Sequence, residues 1–321
     1  MANAIYSNAR AKYQENFLLG KERILRIVDA ENFSDALKVL SEVNFGGGVY
    51  DVEEYEFEKI IDADRERYFS FIRETCPSTE LKAYLLAPSD YHNAEALLKA
   101  KHLKLDQAKM TTASGLIDLN YLKEKIFSDS YKDLPVTLSS AILKAEENLV
   151  SENRSGAVVS LIFKKALYSE LYSLSKKNPI LSEIYSARAD FVNVSIALRC
   201  GDYKKAKEQF VEGGTAEQSL LKLLSEENKD AVKEKIKNFK LKVDLSLAVN
   251  AFIEGKPFSE FERVSEGYAV GLLEKRKYEQ GGIIPFIHYC FMKESEYKNV
   301  RIALSGIING MDKADVKRRL F

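Results

Sequence analysis

Asn178-Pro179-Ile180-Leu181-Ser182-Glu183-Ile184-Tyr185-Ser186-Ala187-Arg188-Ala189-Asp190-Phe191-Val192-Asn193-Val194-Ser195-Ile196-Ala197-Leu198-Arg199-Cys200-Gly201 carries both ends and the buried face of one helix. Asn178 offers a side-chain acceptor to the first turn, and Pro179 follows where a missing N–H costs nothing. Ile184, Ala187, Phe191, Val194 and Leu198 recur at alternating steps of three and four, which aligns them in one stripe. Gly201 can take the left-handed conformation that ends a helix. Phe57, Ile60, Ile61, Tyr68, Phe71 and Ile72 make a second face of this kind, and Thr215-x-x-Gln218 and Ser259-x-x-Glu262 have capping-box form. Alternating β-branched runs are nearly absent, so the chain is expected to be all-α, with about 70% helix.

Within that stretch, Asp190-Phe191-Val192-Asn193 has the form acid, aromatic, any residue, Asn. The form recurs as Asp90-Tyr91-His92-Asn93 and as Glu296-Tyr297-Lys298-Asn299, with the three asparagines 100 and 106 residues apart. A four-residue window of this composition would match by chance roughly 0.3 times in the chain, so three even matches indicate an internal repeat. Flanking columns agree: Ala94, Val194 and Val300 follow the Asn, then Ala96, Ile196 and Ile302, then Leu98, Leu198 and Leu304. Three helical units are therefore expected at 1–105, 106–210 and 211–321, joined where composition loosens at Lys104-Leu105-Asp106 and at Gly213-Gly214. Units of this size leave an apolar face open until a neighbour covers it, so the copies should pack on one another. Repetition alone does not decide between an open stack and closure about an axis.

The acid and the Asn of each copy lie three apart and share the side of the apolar stripe. Such a pair either grips a partner or is buried and hydrogen-bonded so as to fix how the copies dock. The second reading is preferred, because a role common to three copies is a role in the repeat itself.

Length and composition bound the rest. The chain has 321 residues, with Lys+Arg and Asp+Glu both at 48, so the broad positive field of a nucleic-acid binder is missing. With 17 Tyr, 17 Phe and 45% apolar residues it can bury a core. Cys76, Cys200 and Cys290 are unpaired by spacing, which fits a reducing compartment better than a disulfide framework. The most apolar stretches, 157–163 and 283–292, fall short of the roughly 18 residues a membrane helix needs. The N-terminal segment lacks the apolar core and cleavage site of a secretory signal.

Motifs for chemistry are wanting. His92, His102 and His288 show no HExxH spacing, and no metal role is assigned to them. Gly46-Gly47-Gly48 lacks a following Lys-Ser/Thr, and Gly255-Lys256-Pro257 has Pro where a hydroxyl ligand of Mg²⁺ would stand, so direct nucleotide binding is not expected. No GxSxG elbow or kinase set occurs. Lys313, Lys317, Arg318 and Arg319 form a basic end, suited either to an acidic surface or to a solvated last turn that complements the helix dipole.

Taken in order, several short motifs resemble the C subunit of the V/A-type rotary ATPases and ATP synthases, the family that includes the eukaryotic d subunit. They are Tyr6-x-x-x-Arg10 with Phe17-Leu18-Leu19, and Leu37-x-x-Leu40 with Phe45. Then come Asp90-x-x-Asn93-Ala94-x-x-Leu97-Leu98-Lys99-Ala100-Lys101, and Asp190-x-x-Asn193 with Arg199. The last are Glu294-x-Glu296-x-x-Asn299-Val300-Arg301-Ile302, Gly306, and Val316-x-x-Arg319-Leu320. Ser305-Gly306-Ile307-Ile308 departs from the Gly-Lys pair common at that turn. The resemblance implies a non-catalytic rotor part without a cofactor: a three-lobed helical funnel about a pseudo-threefold axis. Such a part sits peripherally on the cytoplasmic face of the membrane proteolipid ring, receives the central shaft, and couples ATP chemistry elsewhere to H⁺ or Na⁺ transport. It makes Asp90, Asn93, Asp190, Asn193, Glu296, Asn299 and Arg301 the candidate repeat-core or interface residues. The competing reading is a helical-repeat scaffold for another protein, disfavoured because such repeats usually run about 34 to 47 residues.

Overall fold

The computed structural model describes residues 3–104, 110–151, 154–226, 229–236, 245–256, 258–279 and 282–321. Among these residues the chain is all-α: sixteen α-helices and no strand. They gather into two compact units, residues 1–79 with 254–321, and residues 80–253. The first junction expected from sequence, Leu105-Asp106, lies outside the described residues, as does Pro257.

The first unit joins both ends of the chain. It contains α1 (Ala4–Gln14), α2 (Gly20–Asp29), α3 (Phe33–Ser41), α4 (Glu58–Thr75), and then α14 (Ser259–Arg276), α15 (Ile284–Ile308) and α16 (Lys313–Arg319). Helix α15 is its axis, in contact with α1, α2, α3, α4, α14 and α16. Its buried residues run through nearly every turn, because neighbours cover it on several sides. Phe71 stacks on Phe286 at 5.7 Å and meets Tyr289 edge-on at 5.4 Å, while Tyr68 and Phe45 each lie 5.9 Å from the Tyr297 ring. Contacts of this kind add to the apolar burial that drives the packing.

The second unit is continuous in sequence. Helix α5 (Thr79–Leu103) enters it at its first turn, followed by α6 (Leu119–Phe127), α7 (Val136–Val150), α8 (Gly156–Ser175) and α9 (Pro179–Cys200). Then come α10 (Tyr203–Gln209), α11 (Gln218–Glu226), α12 (Lys229–Lys235) and α13 (Ser246–Ile253). One core runs from Tyr91, Ala94 and Leu98 of α5 through Leu122 and Ile126 of α6 and Leu138 and Ile142 of α7 to Val159 and Phe163 of α8.

Helix α9 starts and stops as its sequence dictates. Asn178 Oδ1 accepts from Ile180 N and Leu181 N, Pro179 takes the first turn, and Gly201 closes the helix at φ +64°. The same stop follows the other two motif helices, with Lys104 at φ +54° after α5 and Gly310 at φ +60° after α15. Asp202 and Asp312 then cap the short helices α10 and α16.

Two capping expectations need correction. Helix α11 begins at Gln218, and the Thr215 hydroxyl donates to Asp190 Oδ2 at 2.6 Å instead of capping it. At α14 the cap position belongs to Phe258, with no side-chain hydrogen bond, and Ser259 is already helical. A local motif loses here to a partner far away in sequence. Pro88 lies inside α5.

Candidate functional site

The acid and Asn of all three copies are buried, and each Asn makes the same contact. Asn93 Oδ1 accepts from Thr112 N at 2.8 Å while its Nδ2 donates to the oxygens of Thr112 and Ala113, both at 3.2 Å. Asn193 pairs with both backbone groups of Val211, at 2.8 and 2.9 Å. Asn299 does so with Phe321, at 2.9 and 3.3 Å. A side-chain amide presents one donor and one acceptor, so it can engage a single residue's N–H and oxygen as a neighbouring strand would.

The acids hold the segment that leads into the next copy. Asp90 accepts from Leu116 N at 3.0 Å and Ile117 N at 3.1 Å, ahead of α6. Asp190 accepts from Thr215 N and Ala216 N at 2.6 and 2.7 Å, ahead of α11, besides the Thr215 hydroxyl. Glu296 Oε2 accepts from Leu19 N at 2.5 Å, ahead of α2. The third copy thus holds residue 19, at the opposite end of the chain. Charge-assisted bonds such as these each contribute about 1.5–3 kcal/mol, and removing the acid would leave partly buried donors, and at Leu19 a buried one, without their acceptor.

The short acids demand close approach. A Cβ on Gly115 would lie 2.4 Å from Asp90 Oδ1, and one on Gly214 would lie 2.4 Å from Asp190 Oδ1. Each glycine directly precedes a residue whose N–H the acid holds. In the third copy that place is taken by Leu18, ahead of Leu19, and the acid is longer by one methylene.

Glu296 also belongs to a buried ionic cluster. Lys293 Nζ lies 2.5 Å from Glu296 Oε1 and 2.7 Å from Asp64 Oδ2, over the rings of Phe45 and Tyr297. Asp64 further accepts from Gly46 N and the Tyr297 hydroxyl, both at 3.0 Å. Burial pushes the Glu296 carboxyl above the ordinary carboxylate range, with Lys293 pulling the other way. Burial acts to lower Lys293, but Glu296 and Asp64 outweigh it and its proton is held more tightly than usual. The Gly46-Gly47-Gly48 run is a turn, every φ positive, and its first N–H serves Asp64.

Six of the seven residues singled out from sequence therefore form three equivalent brackets. The seventh, Arg301, stands apart: it pairs with Glu58 of α4 through Nε at 2.6 Å and Nη2 at 2.8 Å, half-exposed. The basic end is tied down as well, Lys313 reaching Asp29 O at 2.7 Å and Lys317 an Asp29 carboxylate oxygen at 2.6 Å. Sequence reasoning missed Lys293, Asp64, Gly115 and Gly214. Of these only the glycines left a signal, standing 24 or 25 residues after the acids in two copies.

The bracket acids accept from backbone N–H groups, which suits them to holding structure and leaves little capacity for proton transfer. Among the described residues, no group of three or more His, Cys, Asp or Glu is placed to hold a metal ion, and no helix is long and apolar enough to cross a membrane.

Brackets of this kind stand on three helices of an all-α chain, α5, α9 and α15. The chain is a member of the ATP synthase (C/AC39) subunit family, whose model matches residues 7–319. It is 20% identical over 323 residues to the C subunit of the V-type sodium ATPase of Enterococcus hirae, covering 98% of this chain and 96% of that one. It is 23% identical over 320 residues to the C subunit of the A-type ATP synthase of Methanobrevibacter smithii, covering 92% and 82%.

Proposed function

We propose that the chain is the non-catalytic central-stalk component of a V/A-type ATPase or ATP synthase, coupling the central shaft to the membrane proteolipid ring on its cytoplasmic face. In this reading the three units 1–105, 106–210 and 211–321 close about a pseudo-threefold axis as a funnel, and H⁺ or Na⁺ moves elsewhere in the complex.

One observation carries the reading: Glu296 returns to Leu19 by the device through which Asp90 and Asp190 hold the segments ahead of α6 and α11. In this reading the three bonds would tie copy one to two, two to three, and three to one, as closure about an axis requires. A collar between a narrow shaft and a wide ring must carry load without yielding, and packed helices with internally satisfied polar groups resist deformation better than a linker would. Even charge suits mixed polar contacts that can be made and released.

The test is affinity purification of the tagged chain from its native membranes. Recovery of proteolipid ring and shaft proteins with it, together with no ATP hydrolysis by the isolated chain, is the expected result. Recovery of neither would sink the assignment.

A further inference from the structure

A cleft of about 330 Å³ opens in the first unit beside Lys293. Its rim carries Tyr13 and Phe17, which are 59% and 43% exposed and meet edge-on at 5.3 Å. Tyr13 comes from α1, which buries only Ser7 and Ala11, and Phe17 from the single 3-10 turn that follows it, Glu15–Phe17. Phe71 and Tyr289 contribute to the inner wall. Three charged side chains line it, Asp64, Arg67 and Lys293, the last also paired with Glu296.

The three differ in what they have left to offer. Asp64 already accepts from Gly46 N, Lys293 and the Tyr297 hydroxyl. Lys293 is shared between Asp64 and Glu296. Arg67 is 53% exposed, donates through Nη1 to Asn44 O at 2.8 Å and sits 3.6 Å from Asp64, which leaves further N–H groups of its planar fork for another acceptor. Aromatic walls and one cation with spare donors at the mouth select an anion attached to an apolar body.

We propose that this cleft is a binding site for a small carboxylate carrying a flat apolar group, its ring seated between the aromatic walls and its carboxylate on Arg67. A cation is disfavoured because the only acid in the cleft is already engaged. A carboxylate without the apolar body gains little, since an exposed ion pair contributes little by itself. The proposal does not depend on the rotor assignment.

Titration calorimetry on the full chain tests it with three probes: phenylacetate, benzylamine and acetate. Phenylacetate is expected to bind saturably below about 10 mM, with no measurable binding of the amine or of acetate. Arg67→Gln should weaken phenylacetate at least about tenfold, the loss of one charge-assisted contact. Because Arg67 also anchors the turn at Asn44, a second variant, Leu18→Trp, fills the cleft without changing its charge and should abolish binding while the circular-dichroism melt is retained. Benzylamine binding as well as phenylacetate, unchanged affinity in both variants, or no saturable phenylacetate binding would each overturn the proposal.

Discussion

The joint at Asp190 and the joint at Glu296 perform one task with different chemistry. At Asp190 a short carboxylate meets the backbone where Gly214 lets the chain come close, and it takes two N–H groups and a hydroxyl. At Glu296 the backbone carries Leu18 and stays back, a longer acid bridges the gap, and one N–H plus the Lys293 ammonium replace the three donors. The first joint is self-contained, whereas the second depends on a buried cation that is itself shared with Asp64. The repeat thus keeps a mechanical connection while its electrostatics are free to change, provided reach and room change together.

The largest effect is expected from Asp190→Ala. It removes a buried carboxylate that accepts from three partly buried donors at once, and urea unfolding should show a loss of about 4 kcal/mol. A loss below about 1 kcal/mol would mean that water can replace the carboxylate. Lys293→Met comes next, at about 3 kcal/mol, because it leaves Asp64 and Glu296 buried without their cation. Acidification should restore much of that loss, and a variant equally destabilised at acid and neutral pH would break the contrast between the joints.

Gly214→Ala is expected to cost about 2 kcal/mol by forcing a methyl group against Asp190, while Leu18→Ala should cost less than about 1.5 kcal/mol on its half-exposed site. Equal costs would show that the glycine is not what admits the short acid. The smallest effect concerns pH. The folded Glu296 carboxyl holds its proton more tightly than the unfolded one, so the native state binds more protons from the ordinary value of 4.5 up to the raised one. Stability should therefore fall as pH rises through that window. Glu296→Gln should remove this component of the slope, and an unchanged slope in that variant would show that Glu296 is not its source.

Much of this was legible in residue order. Helix α9 carried its own start, stripe and stop, and the acid and Asn columns marked three equivalent helices. What stayed hidden was held by partners distant in sequence. Thr215 looked like a cap because its local spacing is right, yet Asp190, 25 residues earlier, claims both its N–H and its hydroxyl. Lys293 carries no signal in the sequence, since nothing near it announces Asp64, and Leu19 lies 277 residues from Glu296. The repeated motif leads one to expect three copies, whereas packing gathers the chain into two units, because a repeat records covalent order while a compact unit records contacts.

That first unit, assembled from residues 1–79 and 254–321, sets a schedule for biosynthesis. The opening segment leaves the ribosome with α15 not yet made, and at about 5–20 residues per second the intervening stretch takes on the order of ten to thirty seconds to translate. During that interval Phe71 and Tyr68 lack their lasting neighbours. The contiguous middle of the chain can finish first, and the newborn N-terminus is the part that most needs a chaperone's shelter.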